Sequence, residues 1–212
     1  MDNVESQNNH PKKSALRQYV FVLAFVVCGL ALMFYGSPFF AVTYRAHTLT
    51  AKNDTKQIAT STFKRSAPSR IIIPSLNIDT TFETPLKLNA DKTVAVPTSY
   101  DKVGWYEGGA TPGEIGPAVI LGHVDSYQGP AVFYSLGQLK KGDNIAITRE
   151  DGTTATFEVQ TLERYERKDF PTELVYGQTD QSVLRLVTCS GIFNKGIQEY
   201  SHNLVVYATL KK

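Results

Sequence analysis

Cys189 and His123 are the residues of this chain best suited to covalent chemistry. A thiolate is the nucleophile of acyl transfer from amides, and an imidazole can carry the protons that such a transfer moves. Cys189 ends the run Leu184-Arg185-Leu186-Val187-Thr188-Cys189-Ser190-Gly191 and is the only cysteine outside the N-terminal apolar segment. The run reads as a β-strand, so Leu184, Leu186 and Thr188 share one face while Arg185, Val187 and Cys189 share the other. That places a cation and a thiol on one face, at the end of a strand beside a glycine turn, where a positive charge lowers a thiol's pKa. The plain alternative is an inert core cysteine, because free Cys is among the most buried residue types.

His123 closes Ala118-Val119-Ile120-Leu121-Gly122-His123-Val124-Asp125-Ser126, at the point where an apolar strand turns polar. Beyond residue 69 the only other histidine is His202, which also stands beside a strand. Bonded to Asp125 or Ser126, His123 is an ordinary turn histidine. Brought to Cys189 at one rim of a sheet, it is the acid–base partner of a thiol. No cluster of His, Cys and carboxylates has metal-ligand spacing, so neither a metal nor a cofactor is expected.

The elements that must position this pair are short strands. Arg70-Ile71-Ile72-Ile73-Pro74-Ser75-Leu76-Asn77-Ile78-Asp79-Thr80-Thr81-Phe82 gives two β-branched runs about a proline, which cannot occupy a central ladder. Further strands are expected over 93–96, 118–121, 144–148, 154–165, 183–189 and 203–210. Thr111-Pro112-Gly113-Glu114-Ile115-Gly116-Pro117 forms one turn cluster between them, and Glu150-Asp151-Gly152-Thr153 reads as a hairpin turn. Helical periodicity is sparse. The fold class is therefore all-β, a closed or nearly closed barrel that leaves no exposed sheet edge.

Before this domain, residues 19–35 carry no charge, and the apolar stretch continues to residue 42, about the length that crosses a bilayer core. We read a retained transmembrane helix; the competing reading, a cleaved signal peptide, lacks a clear small-x-small site. Lys12, Lys13 and Arg17 precede the span and favour an inside N-terminus. The expected plan is a cytoplasmic tail over 1–17, a membrane anchor over 18–42, an extracellular stalk over 43–68 and a catalytic domain over 69–212. Cys28 falls inside the span, so a disulfide with Cys189 is implausible. Residues 1–68 hold 8 lysines and arginines against 3 carboxylates, whereas 69–212 hold 14 against 17. The domain is thus not a basic nucleic-acid binder.

Taken together, the anchor, Arg70-Ile71-Ile72-Ile73-Pro74-Ser75-Leu76-Asn77-Ile78, Gly122-His123-Val124-Asp125-Ser126 and Leu186-Val187-Thr188-Cys189 resemble a sortase. Val103-Gly104-Trp105-Tyr106, Gly116-Pro117-Ala118-Val119 and Gly129-Pro130-Ala131-Val132-Phe133-Tyr134 are similar to the class F group in particular. The resemblance implies a closed eight-stranded β-barrel with short helices or turns, the histidine after the fourth strand and the cysteine at the end of the seventh. It implies a membrane-anchored cysteine transpeptidase of a bacterial surface. Cys189 would attack the Thr carbonyl of a signal similar to Leu-Pro-x-Thr-Gly, forming a thioester, and His123 would protonate the leaving glycine amine. The acyl group would pass to an amine of a cell-wall precursor or a pilin lysine. Thr188, with Val187 beside it, would help to hold the substrate or would serve only the backbone.

Sortases carry an arginine at the start of the last strand, and the matching position here is Asn203. Asn can donate to an oxyanion but brings no charge. Arg185, on the face of Cys189, is the expected substitute; its alternative is a strand arginine paired with a carboxylate. Two other classes share these features: a Cys/His peptide hydrolase, and a catalytically idle anchored β-domain that binds without turnover.

Overall fold

The computed structural model describes residues 63–212. The expected cytoplasmic tail, membrane anchor and most of the stalk lie outside the described residues. Among the described residues no helix is long and apolar enough to cross a membrane.

Ten strands follow in chain order: β1 (Pro68–Ile73), β2 (Ile78–Thr81), β3 (Gly104–Trp105), β4 (Gly116–Leu121), β5 (Asp125–Ser126), β6 (Gly129–Pro130), β7 (Asn144–Arg149), β8 (Thr154–Glu166), β9 (Ser182–Asn194) and β10 (Glu199–Leu210). Among the described residues, one five-residue helix, α1 (Thr172–Tyr176), and three short 3-10 turns accompany them. Eight strands form one curled sheet in the order β2-β1-β7-β8-β10-β9-β4-β3, and β5 and β6 form a separate small hairpin.

Local chemistry explains the first turns. Ile71 and Ile73 are fully buried while Ile72 faces the other way, the alternation of a half-buried strand. Pro74 then stops the ladder, and Asn77 turns the chain in the left-handed region at φ 53°, which its short polar side chain tolerates. At the expected hairpin, Asp151 Oδ1 accepts from the Thr153 N–H at 2.9 Å and from its hydroxyl at 2.6 Å, joining β7 to β8.

β4 is buried along its whole length and lies parallel to β9, in register from Gly116↔Ser182 to Leu121↔Val187. A parallel strand covered on both faces needs such a continuous apolar run. The inner face of the curl packs Ile71, Ile120, Phe133, Phe157, Leu184 and Leu186; the outer face packs Val119, Val187, Val205 and Tyr207 beneath α1. The alternation expected for 184–187 is therefore present.

Two expectations are corrected. The eight strands do not close a barrel: β2 and β3 are its edges with no ladder between them. The end of β2 touches only the segment before β3, through the Val103 N–H bond to the Thr81 carbonyl at 3.4 Å, the Phe82↔Val103 bridge and the Glu83 N–H bond to the Val103 carbonyl at 3.0 Å. Two residues of β3 are too few to make a seam, and such short edges are self-protecting. Residues 93–96 are not a strand; Val94 makes one bridge to Leu88 after a tight turn held by Asn89 and Asp91. Residues 63–67 lie against the sheet. Phe63 packs against the inner core and beneath the buried Arg149 guanidinium at 5.0 Å, and Arg149 also donates to the Lys64 carbonyl.

Candidate active site

Pairing between β4 and β9 stops at Leu121↔Val187, with one more bond from the Gly122 N–H to the Val187 carbonyl at 3.2 Å. His123 and Cys189 follow immediately on these two adjacent strands, so the parallel register itself sends both to one rim. They line the same small cavity of about 90 Å³, together with Pro97, Thr188 and Asn203. Gly122 makes the approach possible: a Cβ there would stand 2.5 Å from Cδ2 of the fully buried Phe133.

His123 is held from two sides. Its ring stacks on Tyr100 with centroids 4.7 Å apart, and its Nε2 lies 2.7 Å from the Pro97 carbonyl. A carbonyl only accepts, so Nε2 carries a proton and Nδ1 is the ring atom left to exchange one. The Pro97 segment is fixed in turn by Glu83, whose carboxylate accepts from the Thr98 N–H at 2.7 Å and the Ser99 N–H at 3.1 Å. Nothing in the sequence pattern links Glu83 to a residue 14 positions on, and the role is visible only once the loop is folded.

Cys189 is a free, half-buried thiol. Burial pushes its pKa up; Arg167 opposes that shift, and Asp125 and Glu199 add to it. The expected lowering by Arg185 is therefore corrected. Arg185 lies along the strand from Cys189, its guanidinium 4.5 Å over the Tyr207 ring and its Nη1 donating to the Leu184 carbonyl at 3.2 Å. It lines none of the recesses that contain Cys189.

Asn203 stands directly across from Cys189 in the antiparallel β9–β10 ladder, as Val205 stands across from Val187 and Tyr207 from Arg185. Thr188 faces inward, 4% exposed, and its hydroxyl is buried without a hydrogen-bond partner. Leaving such a group unsatisfied costs about 1–3 kcal/mol. His202 sits one rung further along, opposite Ser190, with its side chain on the other face of β10 from that of Asn203 and its Nδ1 2.7 Å from the Ser201 hydroxyl.

Two larger recesses flank the thiol. One, about 560 Å³, is walled by Val187, Phe170, Tyr176, Asn203 and Arg167 and is largely apolar. The other, about 290 Å³, gathers His123, Asp125, Tyr127, Phe193 and Tyr200. There the Tyr200 hydroxyl donates to Asp125, which pushes the Tyr200 pKa up to about 12. Among the described residues no group of His, Cys, Asp and Glu could hold a metal ion.

A thiol and an imidazole presented at the rim of a curled, all-β sheet, between two clefts, define a cysteine acyl-transfer enzyme. Residues 71–211 match the Sortase domain family model, and the chain belongs to the sortase family, whose members are cysteine transpeptidases acting on sorting signals. Its fold is similar to sortase C-1 from Actinomyces oris, at 23% identity over 68% of this chain and 71% of that chain, with a TM-score of 0.52. Streptococcus agalactiae sortase C1 gives 22% identity over 68% and 66% of the two chains, TM-score 0.53. A lid mutant of Corynebacterium diphtheriae sortase A gives 22% over 74% and 76%, TM-score 0.51. At these identities the likeness is one of fold. No curated protein sequence matches the chain.

Proposed function

We propose that this chain is a membrane-anchored sortase, most like the class F group, that cleaves a Leu-Pro-x-Thr-Gly-like signal between Thr and Gly and transfers the acyl group to an amine. The carrying observation is the single cavity that Cys189 and His123 share with Asn203 and Thr188. The Cys189 thiolate attacks the Thr carbonyl carbon; the carbon–nitrogen bond to Gly breaks, and His123 gives its proton to the departing amine. An acceptor amine then attacks the thioester, passes a proton back to His123 and expels Sγ as thiolate. No electrons change oxidation level in either step. Asn203 supplies an uncharged donor beside the carbonyl oxygen, Thr188 helps to line the cavity that holds the substrate, and Val187 forms part of the apolar wall for the signal. The acceptor belongs to a cell-wall precursor or a pilin lysine, and the anchor over 18–42 holds the enzyme on the outer face of a bacterial membrane. Class F affinity is supported by Val103-Gly104-Trp105-Tyr106 and Gly129-Pro130-Ala131-Val132-Phe133-Tyr134.

The test is mass spectrometry of the full-length chain in detergent with a Leu-Pro-x-Thr-Gly peptide library, with and without triglycine. Transfer product only when amine is present supports the reading. Acid product regardless of amine would make the chain a hydrolase, and no turnover would make it an idle binding domain.

A further inference from the structure

The catalytic centre has a charge deficit. Asn203 faces Cys189 without a charge, and Arg185 is committed to Tyr207 and the Leu184 carbonyl. An oxyanion in a half-buried rim needs preorganised positive charge, which is worth far more there than in water. Lys92 and Arg167 are the cations on the wall of the recess that contains both Cys189 and Asn203.

Arg167 is the better placed. It opens the 3-10 turn (Arg167–Asp169) that caps β8, whose last residue, Glu166, lies opposite His202 in the β8–β10 ladder. Its side chain reaches across β10, where Nη2 donates to Glu199 Oε1 at 3.0 Å. That bond occupies one of five guanidinium donors. Lys92, in contrast, tips an exposed turn at φ 67°.

We propose that Arg167, held by Glu199, supplies the positive charge at Cys189 that the last strand lacks, so that a residue from β8 does the work of an arginine on β10. The inference rests on the sortase reading for its kinetic arm but not for its chemical one. Arg167 opposes the burial-driven rise of the Cys189 pKa, whereas Glu199 and Asp125 reinforce it. His123, Tyr100, Tyr127, Tyr200, Tyr106 and Tyr176, with Lys92, are the other titratable groups around the thiol on its two flanks.

The experiment measures iodoacetamide alkylation of Cys189 against pH, and transfer kinetics with the peptide library and triglycine, in the full-length chain. Arg167→Ala should move the alkylation midpoint up, and Glu199→Gln should move it down. A merely structural ion pair would be broken alike by both variants and would not give opposite signs. In transfer, Arg167→Ala should lower kcat about 10²- to 10³-fold with KM little changed. Arg167→Lys should restore the alkylation midpoint but little of kcat, because a point charge does not reproduce the guanidinium fork. Asn203→Arg added to Arg167→Ala should recover kcat. An unmoved midpoint in Arg167→Ala, or equal shifts in both variants, overturns the proposal. Should the wild type turn over no peptide at all, the signal reading fails, while the alkylation profiles still decide the place of Arg167; Glu199→Gln decides it alone if Arg167→Ala does not fold.

Discussion

Asn203 is the cross-strand partner of Cys189, and the two backbones face each other one rung from the His202↔Ser190 pair at which the β10 bulge between Tyr200 and His202 begins. Side chains at paired positions of an antiparallel ladder share a face with Cβ atoms about 5 Å apart. Whatever residue occupies position 203 therefore addresses the thiol and any carbonyl bound to it. An amide there orients; it does not attract an anion from a distance. The chemistry of this site is thus divided between a neutral donor set by strand pairing and a charge that must come from another element.

If Cys189 is the nucleophile, incubation with a Leu-Pro-x-Thr-Gly peptide and acid quenching should add the acyl mass to the tryptic peptide that contains Cys189. Cys189→Ala should remove both the adduct and the product. Turnover that persists in Cys189→Ala would sink the transpeptidase mechanism.

His123 rather than His202 should carry the proton. His123→Ala is expected to lower kcat/KM by about 10²- to 10⁴-fold, the usual loss for acid–base catalysis, with His202→Ala nearly silent. Glu83→Gln acts more remotely, through the Thr98 and Ser99 bonds that place the Pro97 carbonyl against Nε2. It should change the pH profile of kcat and spare the rate of Cys189 alkylation. The reverse ranking of the two histidines in a transfer assay would show that the wrong imidazole has been paired with the thiol.

Gly122→Ala tests how the histidine is delivered. The added methyl meets the buried Phe133 ring at 2.5 Å, and Phe133 is tied by its own N–H to the His123 carbonyl at 2.9 Å. Overpacking of this kind costs about 1–3 kcal/mol. A lowered midpoint in urea together with a loss of transfer activity is expected; full activity at unchanged stability would show that the ring yields freely.

Much of this arrangement was legible in the sequence because strand periodicity is local. The alternation through Leu184-Arg185-Leu186-Val187 predicted the two buried faces, and Asp151-Gly152 marked a hairpin that the structure contains. What periodicity cannot encode is distance along a strand. Arg185 and Cys189 share a face, yet two alternations separate them by about 13 Å of rise, and Tyr207 captures the guanidinium first. Arg167 escaped notice for the converse reason: it approaches through the β8–β10 ladder, a pairing between strands that are not consecutive in the chain. Closure failed as an expectation because β3 is only two residues long, and Thr93–Val96 is β-prone by composition but is consumed by the turn at Asn89.

Topology has its own measurement. With lysines before an uncharged span, the domain should lie outside the membrane. Protease added to intact protoplasts should release a soluble fragment that begins between residues 45 and 62, because residues 63–67 are tied to the sheet by Phe63 packing and the Arg149 bond to the Lys64 carbonyl. Complete protection of the domain would contradict this orientation.

The last prediction concerns the thiol's titration. Burial disfavours the thiolate of Cys189, and the Asp125 carboxylate adds to that effect. Tyr200, its own pKa pushed up to about 12 by the bond to Asp125, stays protonated and keeps donating throughout the working range. Alkylation of the wild type should therefore rise with a midpoint above the ordinary thiol value of about 8.5. For an acid whose neutral form is favoured in the folded state, the stabilising contribution is present below the unfolded pKa and is lost as pH rises through the folded one. Urea midpoints should accordingly fall as pH rises from the unfolded thiol's pKa through the folded one, and by less in Cys189→Ala. Asp125→Asn removes the carboxylate charge while keeping an acceptor for Tyr200, so it should bring the alkylation midpoint down towards the ordinary value. A midpoint already below 8.5 in the wild type, or one that Asp125→Asn raises, would show that the thiol is governed by charges other than those that surround it in this fold.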